Sequence, residues 1–124
     1  MLRTVATTLI AGLIAAFTLS AASTVSAANA AIAFSQSTGN YGYSEGYYYL
    51  AGAKGAAMDN CPGCDAKIVV WASNGWCALA VGDDNGYGYG WASCKCEAER
   101  LALEQCGRNT CNGRIVVSVY SGCD

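Results

Sequence analysis

Residues 67–82, KIVVWASNGWCALAVG, hold two apolar runs, 68–72 and 78–81, separated by the turn-forming Ser73-Asn74-Gly75 and closed by Asp83-Asp84-Asn85-Gly86. Short apolar runs bounded by such clusters predict strands. Upstream, residues 31–34 are apolar and β-prone, residues 36–40 supply a turn, and Tyr41-Gly42-Tyr43 alternates, which predicts a hairpin. Downstream, Ser93 is placed to cap a helix over residues 97–106 that stops at Gly107. On that helix Ala98, Leu101, Ala102 and Gln105 share one face, with Glu97, Arg100 and Glu104 on the other. Residues 47–61 are ambiguous by themselves, because Gly52 and Gly55 would each cost about 1 kcal/mol in a helix interior.

A repeat resolves the ambiguity. Ala31-Ile32-Ala33 corresponds to Ala78-Leu79-Ala80, Tyr41-Gly42-Tyr43 to Tyr87-Gly88-Tyr89, Asn60-Cys61 to Gln105-Cys106, and Lys67-Ile68-Val69-Val70 to Arg114-Ile115-Val116-Val117, all 45 to 47 residues apart. Residues 31–77 and 78–123 are therefore two copies of one unit, each reading strand, strand, helix, strand. One unit cannot bury its own sheet face, so the copies are expected to share a core. The expected fold class is α+β: two ββαβ repeats building one mainly antiparallel sheet of six strands with two helices, related by a pseudo-twofold. The apolar Ile68-Val69-Val70 and Ile115-Val116-Val117 runs read as its central strands.

Composition changes this picture at its ends and at its staples. Met1-Leu2-Arg3, an apolar run over residues 5–19 and Val25-Ser26-Ala27 form a secretory signal pattern, cut after Ala27, with Ala30 as the alternative. That leaves residues 28–124 as a single secreted domain, periplasmic or extracellular, with no membrane span once the signal is removed; the run is shorter than the roughly 20 residues a span needs. Six basic against nine acidic side chains in residues 28–124 argue against a nucleic-acid partner. The eight cysteines of the chain predict a disulfide framework for an oxidising compartment. The repeat suggests local pairs Cys61–Cys64 and Cys106–Cys111, leaving Cys77, Cys94, Cys96 and Cys123 to pair among themselves. Two residues apart on a helix sets Cys94 and Cys96 about 200° apart, so they are not expected to bond to each other.

The chain has no histidine, which removes Ser-His, Cys-His and histidine-ligated metal chemistry. Cys61-Pro62-Gly63-Cys64 has dithiol spacing, but a helix precedes it, so the helix dipole has the wrong sign for activating a thiolate. Asp83-Asp84 reads as turn chemistry, with a glycan-cleaving carboxylate as the rival reading. Gly86-Tyr87-Gly88-Tyr89-Gly90-Trp91 puts Tyr87, Tyr89 and Trp91 on one face of a strand and glycines on the other. Such a strand is either an aromatic platform or a packing face whose glycine side admits a helix. Tyr47, Tyr48 and Tyr49 are consecutive and cannot all point inward, so they join Tyr87, Tyr89 and Trp91 as the candidate contact surface. No metal site or cofactor is expected. A partner would be a protein or a glycan.

Ala31-Ile32-Ala33-Phe34-Ser35, Tyr41-Gly42-Tyr43-Ser44, Val69-Val70-Trp71-x-Ser73-Asn74-Gly75, Cys77-Ala78-Leu79-Ala80-Val81-Gly82 and Ala102-Leu103-x-Gln105-Cys106-Gly107 together resemble the bacterial secreted domain-of-unknown-function 4189 family. The resemblance implies a small exported α/β domain of duplicated character with no catalytic residues defined. The glycine-rich first helix and the added Cys94 and Cys96 depart from that pattern. The functional expectation is a small secreted binding or interaction module without enzymatic activity, the alternative being a glycan hydrolase using Asp83 or Asp84, or thiol-disulfide exchange at Cys61 and Cys64.

Overall fold

The computed structural model of the chain describes residues 28–122, so the signal-peptide segment and Cys123 lie outside the described residues. The elements are β1 (Asn29–Ser35), β2 (Asn40–Tyr47), α1 (Leu50–Asp59), β3 (Lys67–Ser73), β4 (Trp76–Val81), a single 3-10 turn (Asp83–Asn85), β5 (Tyr87–Ala92), α2 (Lys95–Asn109) and β6 (Arg114–Tyr120). Each half is strand, strand, helix, strand, including the glycine-rich first helix that its own composition leaves undecided. α2 begins after Cys94, one residue beyond the expected Ser93 cap. It also runs through Gly107 to Asn109, ending where Thr110 turns extended and its N–H closes on the Cys106 carbonyl at 2.9 Å.

The expected single six-stranded sheet is instead two antiparallel sheets of three, in the orders β2-β1-β3 and β5-β4-β6. The central strands are β1 and β4, and the apolar IVV runs lie on the edge strands β3 and β6. The reason is visible in β1, which is buried on both faces. Ala30, Ile32 and Phe34 point one way, and Ala31 and Ala33 point the other, onto α1. In a single sheet with helices on one side, the Ile32, Phe34, Val70 and Leu79 face would lie in water. Stacking the two sheets on that face removes it. The chain crosses between sheets at residues 73–75, where Asn74 takes φ 58° and the Gly75 N–H donates to the buried Ser121 Oγ at 2.7 Å.

The resulting order is helix, sheet, sheet, helix. The middle layer draws on both halves: Ala30, Ile32, Phe34, Val70 and Ala72 meet Cys77, Leu79 and Val119. The outer layers are built almost wholly from small side chains. Ala53 and Ala57 of α1 sit on Ala31 and Ala33, while Ala98, Ala102 and Cys106 of α2 sit on Ala78 and Ala80. The correspondence between Ala31-Ile32-Ala33 and Ala78-Leu79-Ala80 is thus one of role: alanines under the helix, the large residue between the sheets.

Glycine completes the helix contact at the neighbouring strand. A Cβ on Gly88 would lie 2.2 Å from the Cys106 nitrogen and 2.5 Å from the Ala102 carbonyl oxygen, and one on Gly42 would lie 2.5 Å from the Ala57 oxygen. These are main-chain atoms that cannot rotate away, so the helices touch β2 and β5 only because no side chain intervenes. Gly88→Ala is expected to destabilise by about 2–3 kcal/mol, lowering Tm by about 10 °C or more, as overpacking against backbone does. Gly55, exposed on α1 with nothing within 4 Å of the added Cβ, gives the opposite sign. Gly55→Ala should stabilise by about 0.5–1 kcal/mol through helix propensity. Calorimetric melting of the two variants that showed equal Tm shifts would refute this account of the helix-sheet layers.

Candidate functional site: an aromatic groove at the sheet edges

Along β5 the side chains alternate, with Gly88 and Gly90 buried under α2 and Tyr87, Tyr89 and Trp91 on the face toward the other sheet. Both readings of this strand therefore hold, on different residues. Tyr87 belongs to the core edge, its ring 5.0 Å from Phe34. Tyr89 and Trp91 run outward from it to 40% and 64% exposure, because β5 is an edge strand and the opposing sheet ends there. β3, the facing edge of the other sheet, packs against β4 and β5.

Between these two edges lies a cleft of about 580 Å³, lined by six consecutive residues of β3 (68–73) together with Lys54, Tyr89 and Trp91. Val70 and Ala72 turn into the sandwich, and Trp71, paired with Ala31, stands on the α1 side at 44% exposure. The Lys54 ammonium of α1 sits 5.3 Å from the centre of the Trp71 ring, a cation-π contact that fixes one wall. The opposite wall is Tyr89 and Trp91. Neither Trp71 nor Lys54 is signalled by sequence spacing. Trp71 lies inside an apolar run that reads as core, and Lys54 belongs to no motif.

The four sheet edges are not alike. On β5, Gln105 Oε1 accepts the Tyr89 N–H at 2.8 Å and the Asn109 side-chain amide donates to the Tyr87 carbonyl at 2.9 Å. These amides line a second, polar cleft of about 350 Å³ beside Tyr89. On β2, the Asn60 amide donates to the Tyr43 carbonyl at 3.3 Å, the equivalent residue of the first repeat reaching the equivalent tyrosine's main chain as a donor where Gln105 is an acceptor. Among the described residues, no side chain hydrogen-bonds to the main chain of residues 68–72 of β3, whose ladder bonds run to β1 alone. The floor of the groove is an open strand edge.

Residues equivalent across the repeat show what is particular to this side. Trp71 corresponds to Ser118, Lys54 to Glu99 and Trp91 to Glu45, with Tyr89 matched by Tyr43. The Lys54–Trp71 contact has its counterpart in a hydrogen bond from Ser118 Oγ to Glu99 Oε2. At these equivalent positions one edge of the duplicated fold thus carries a lysine and tryptophans and the other a serine and glutamates, although Lys95, Trp76 and Tyr120 stack at the far end of β6.

The remaining candidates fall elsewhere. Tyr47, Tyr48 and Tyr49 are exposed at 41%, 61% and 71%, and Tyr48 and Tyr49 pack edge to face at 4.7 Å, but none of them lines the groove. Asn29 anchors this run by donating to the Tyr47 and Tyr48 carbonyls at 3.2 and 3.0 Å.

No disulfide is formed among the described cysteines. Cys61, Cys77 and Cys106 are buried, and Cys64, Cys94, Cys96 and Cys111 are exposed. In each expected local pair the first cysteine lies on the core side of its helix end while the second sits on the loop. Cys61 Sγ is 3.5 Å from the Asn40 oxygen and Cys106 Sγ 3.9 Å from the Gly86 oxygen. Burial raises both thiol pKa values, Asp65 adding to the effect at Cys61, so the Cys61-x-x-Cys64 thiol is held protonated. Cys77, inside the sheet-sheet core, is pushed up to about 12 by burial. Cys94 and Cys96 form no disulfide, although their sulfurs lie 3.6 Å apart, nearer than helical spacing alone would bring them. Cys94 is the extended N-cap at φ −124°, outside the helix, so the 200° separation does not apply.

The acids are engaged locally. The Asp83 carboxylate accepts from the Asn112 amide at 2.9 Å, the Asp83 carbonyl accepts from Thr110 Oγ1 at 2.7 Å, and Asp84 takes a left-handed φ of 56°, all of which is turn chemistry. Asp65 is a latch: it accepts from Ser35 Oγ at 2.5 Å, Ser37 Oγ at 2.8 Å and the Ser37 N–H at 3.0 Å, tying the loop after α1 to the β1–β2 turn. Among the described residues no group of three or more Cys, Asp or Glu is placed to hold a metal ion.

Comparison with known families places the chain. A family model described as "Domain of unknown function (DUF4189)" matches residues 29–123, and the chain belongs to that family. No curated protein and no solved structure matches it.

The Asp65 latch has an acid-limb signature. The Ser35 and Ser37 hydrogen bonds hold its pKa below the ordinary carboxylate value. A depressed folded pKa contributes stability that is fully present above the unfolded value of about 3.9 and is lost as pH falls through the folded one. The urea midpoint of the wild type should therefore drop on acidification from about pH 4, and Asp65→Asn should lower the midpoint at pH 7 while flattening that drop. Parallel midpoint-pH curves for the two proteins would show that the latch carries no such linkage.

Proposed function

We propose that this DUF4189 chain is an exported, non-enzymatic binding module whose ligand sits in the groove between β3 and β5. One observation carries the reading: large aromatic side chains, Trp71 and Trp91, are spent on an open cleft that fold stability does not require. The equivalent positions of the other repeat, Ser118 and Glu45, manage with polar side chains in the same architecture. Rings with one face toward water around a cavity of this size are a recurrent arrangement for seating planar or extended ligands.

Export is supported by the basic start, apolar run and Ala-x-Ala-like end of residues 1–27. Hydrolysis through Asp83 or Asp84 has less support. Both lie in a turn, Asp83 accepting hydrogen bonds from Asn112 and Thr110 and Asp84 in the left-handed region, and the groove itself contains no carboxylate. Thiol-disulfide exchange at Cys61 and Cys64 has the burial-raised thiol against it.

Purified protein applied to arrays of immobilised oligosaccharides and peptides is expected to give discrete positives. Trp71→Ala and Trp91→Ala should each weaken them by about tenfold or more, the loss of one stacked ring. Tyr43→Ala and Ser118→Ala, on the pseudo-equivalent side, should leave them unchanged. All four variants should melt within about 4 °C of wild type, since each side chain is at least partly exposed. Binding that survives both tryptophan substitutions, or arrays on which nothing binds, would overturn the reading.

A further inference from the structure

Resting on the groove as a binding site, we infer that its occupant is an extended, acidic polypeptide segment that pairs with the open edge of β3 as a fourth strand of the β2-β1-β3 sheet. Three features of the groove select that chemistry.

The first is its floor. Six consecutive residues of an edge strand line the cleft, and the main chain of residues 68–72 has no partner on its outer side among the described residues. Outward N–H and C=O groups repeating along a strand match another extended main chain. The sandwich seals β5 with Gln105 and Asn109, and β2 with Asn60, leaving β3 and β6 as its open edges.

The second is what the walls lack. No Asp, Glu, Asn, Gln or Arg lines this cleft. A saccharide presents hydroxyls in many directions and needs several such planar polar groups; a strand satisfies its polar atoms through the ladder and asks of the walls only apolar area.

The third is charge. Lys54 is the one charged side chain of the groove, in a chain of net charge −2. The corresponding position beside the other unsealed edge strand, β6, is Glu99. An acidic segment therefore meets a cation in the groove beside β3 and a carboxylate at the equivalent position beside β6, whose own cations, Arg114 and Lys95, lie toward its ends.

Together these fix a pattern. Side chains of an added strand alternate between faces, so one set falls beside Trp71 and Lys54 on the α1 side and the other between Tyr89 and Trp91. The matching segment alternates Asp or Glu with aromatic or β-branched residues.

The test uses fluorescein-labelled, end-capped nonapeptides titrated into the full-length protein by anisotropy. One alternates glutamate with phenylalanine and valine, a second has lysine in place of glutamate, and a third is the glutamate peptide N-methylated at every second residue. Cellotetraose and chitotetraose are titrated in parallel by tryptophan fluorescence. The glutamate peptide is expected to saturate, the lysine and N-methylated peptides to bind at least about tenfold more weakly, and Lys54→Glu to invert the glutamate-lysine preference. Trp71→Phe, which keeps an aromatic wall, should retain most of the binding that Trp71→Ala loses.

Absence of saturation by the glutamate peptide, or equal affinity for its N-methylated form, overturns strand pairing. If the peptides fail but an oligosaccharide saturates and Trp71→Ala abolishes it, the groove is a glycan site, and the strand inference alone falls. If neither class binds, the binding-module reading falls with it. Self-association in sedimentation that Lys54→Glu abolishes would make the occupant a second copy of the chain, and would also overturn the proposal.

Discussion

The close approach of each helix to its sheet is the constraint from which the rest follows. α1 and α2 rest on alanines, and at Gly42, Gly88 and Gly90 on bare backbone, so the helix-sheet layers have no room for large side chains. Period-two alternation then leaves Trp76, at the end of β4, as the large residue beside α2 and sends Ile32, Phe34 and Leu79 of the central strands to the opposite face. Ile32, Phe34 and Leu79 are fully buried there, each contributing roughly 1.5–3 kcal/mol relative to exposure. A three-stranded sheet with such a face cannot stand alone in water. The sandwich is what two of them do.

This is also why the repeat was legible and the sheet arrangement was not. Ala-Ile-Ala and Ala-Leu-Ala, with Tyr-Gly-Tyr after each, record the small-under-helix, large-in-core alternation directly, so unit boundaries, element order and the undecided first helix could be read from one another. Whether two units extend one sheet or stack two is decided by which face stays uncovered, and a run such as Ile68-Val69-Val70 looks the same in either. Its apolarity suggests a central strand, yet β1 and β4 occupy the centre because only their alanine-rich composition suits burial against a helix. The expected local pairs Cys61–Cys64 and Cys106–Cys111 are not at bonding distance for a related reason. Equivalent cysteines imply equivalent surroundings, and those surroundings put Cys61 and Cys106 against a sheet while Cys64 and Cys111 stay on loops.

The candidate site was half legible. Alternation identified Tyr89 and Trp91 but could not separate them from Tyr87, since where along β5 the opposing sheet ends is a tertiary fact. Trp71 was hidden in an apolar run and Lys54 in a helix. Both carry a signal visible only when the copies are aligned by role: Trp against Ser, Lys against Glu, Trp against Glu. Core positions of the two copies remained alike in size and polarity, whereas these groove positions changed character entirely.

A duplicated sandwich of this order has four strand edges, and each is a place where another chain could pair. The two copies meet this hazard at β2 and β5 through equivalent residues, Asn60 donating to the Tyr43 carbonyl and Gln105 accepting from the Tyr89 N–H. At β3 and β6 they part. A bulge at Val69 interrupts regular pairing on β3, since Ile32 faces Val70 and Ala33 faces Ile68, and β6 carries its own register shift opposite Leu79 and Ala80. Both edges are therefore bent, but only β6 has an acid and a hydroxyl, Glu99 and Ser118, beside it. On β3 the same positions hold a lysine stacked on a tryptophan, which leaves the edge reachable and surrounds it with apolar area. Side-chain amides cover two of the edges, β2 and β5, and leave two open; of the open ones β3 is the one set in an apolar, aromatic groove, the setting in which an added strand gains most.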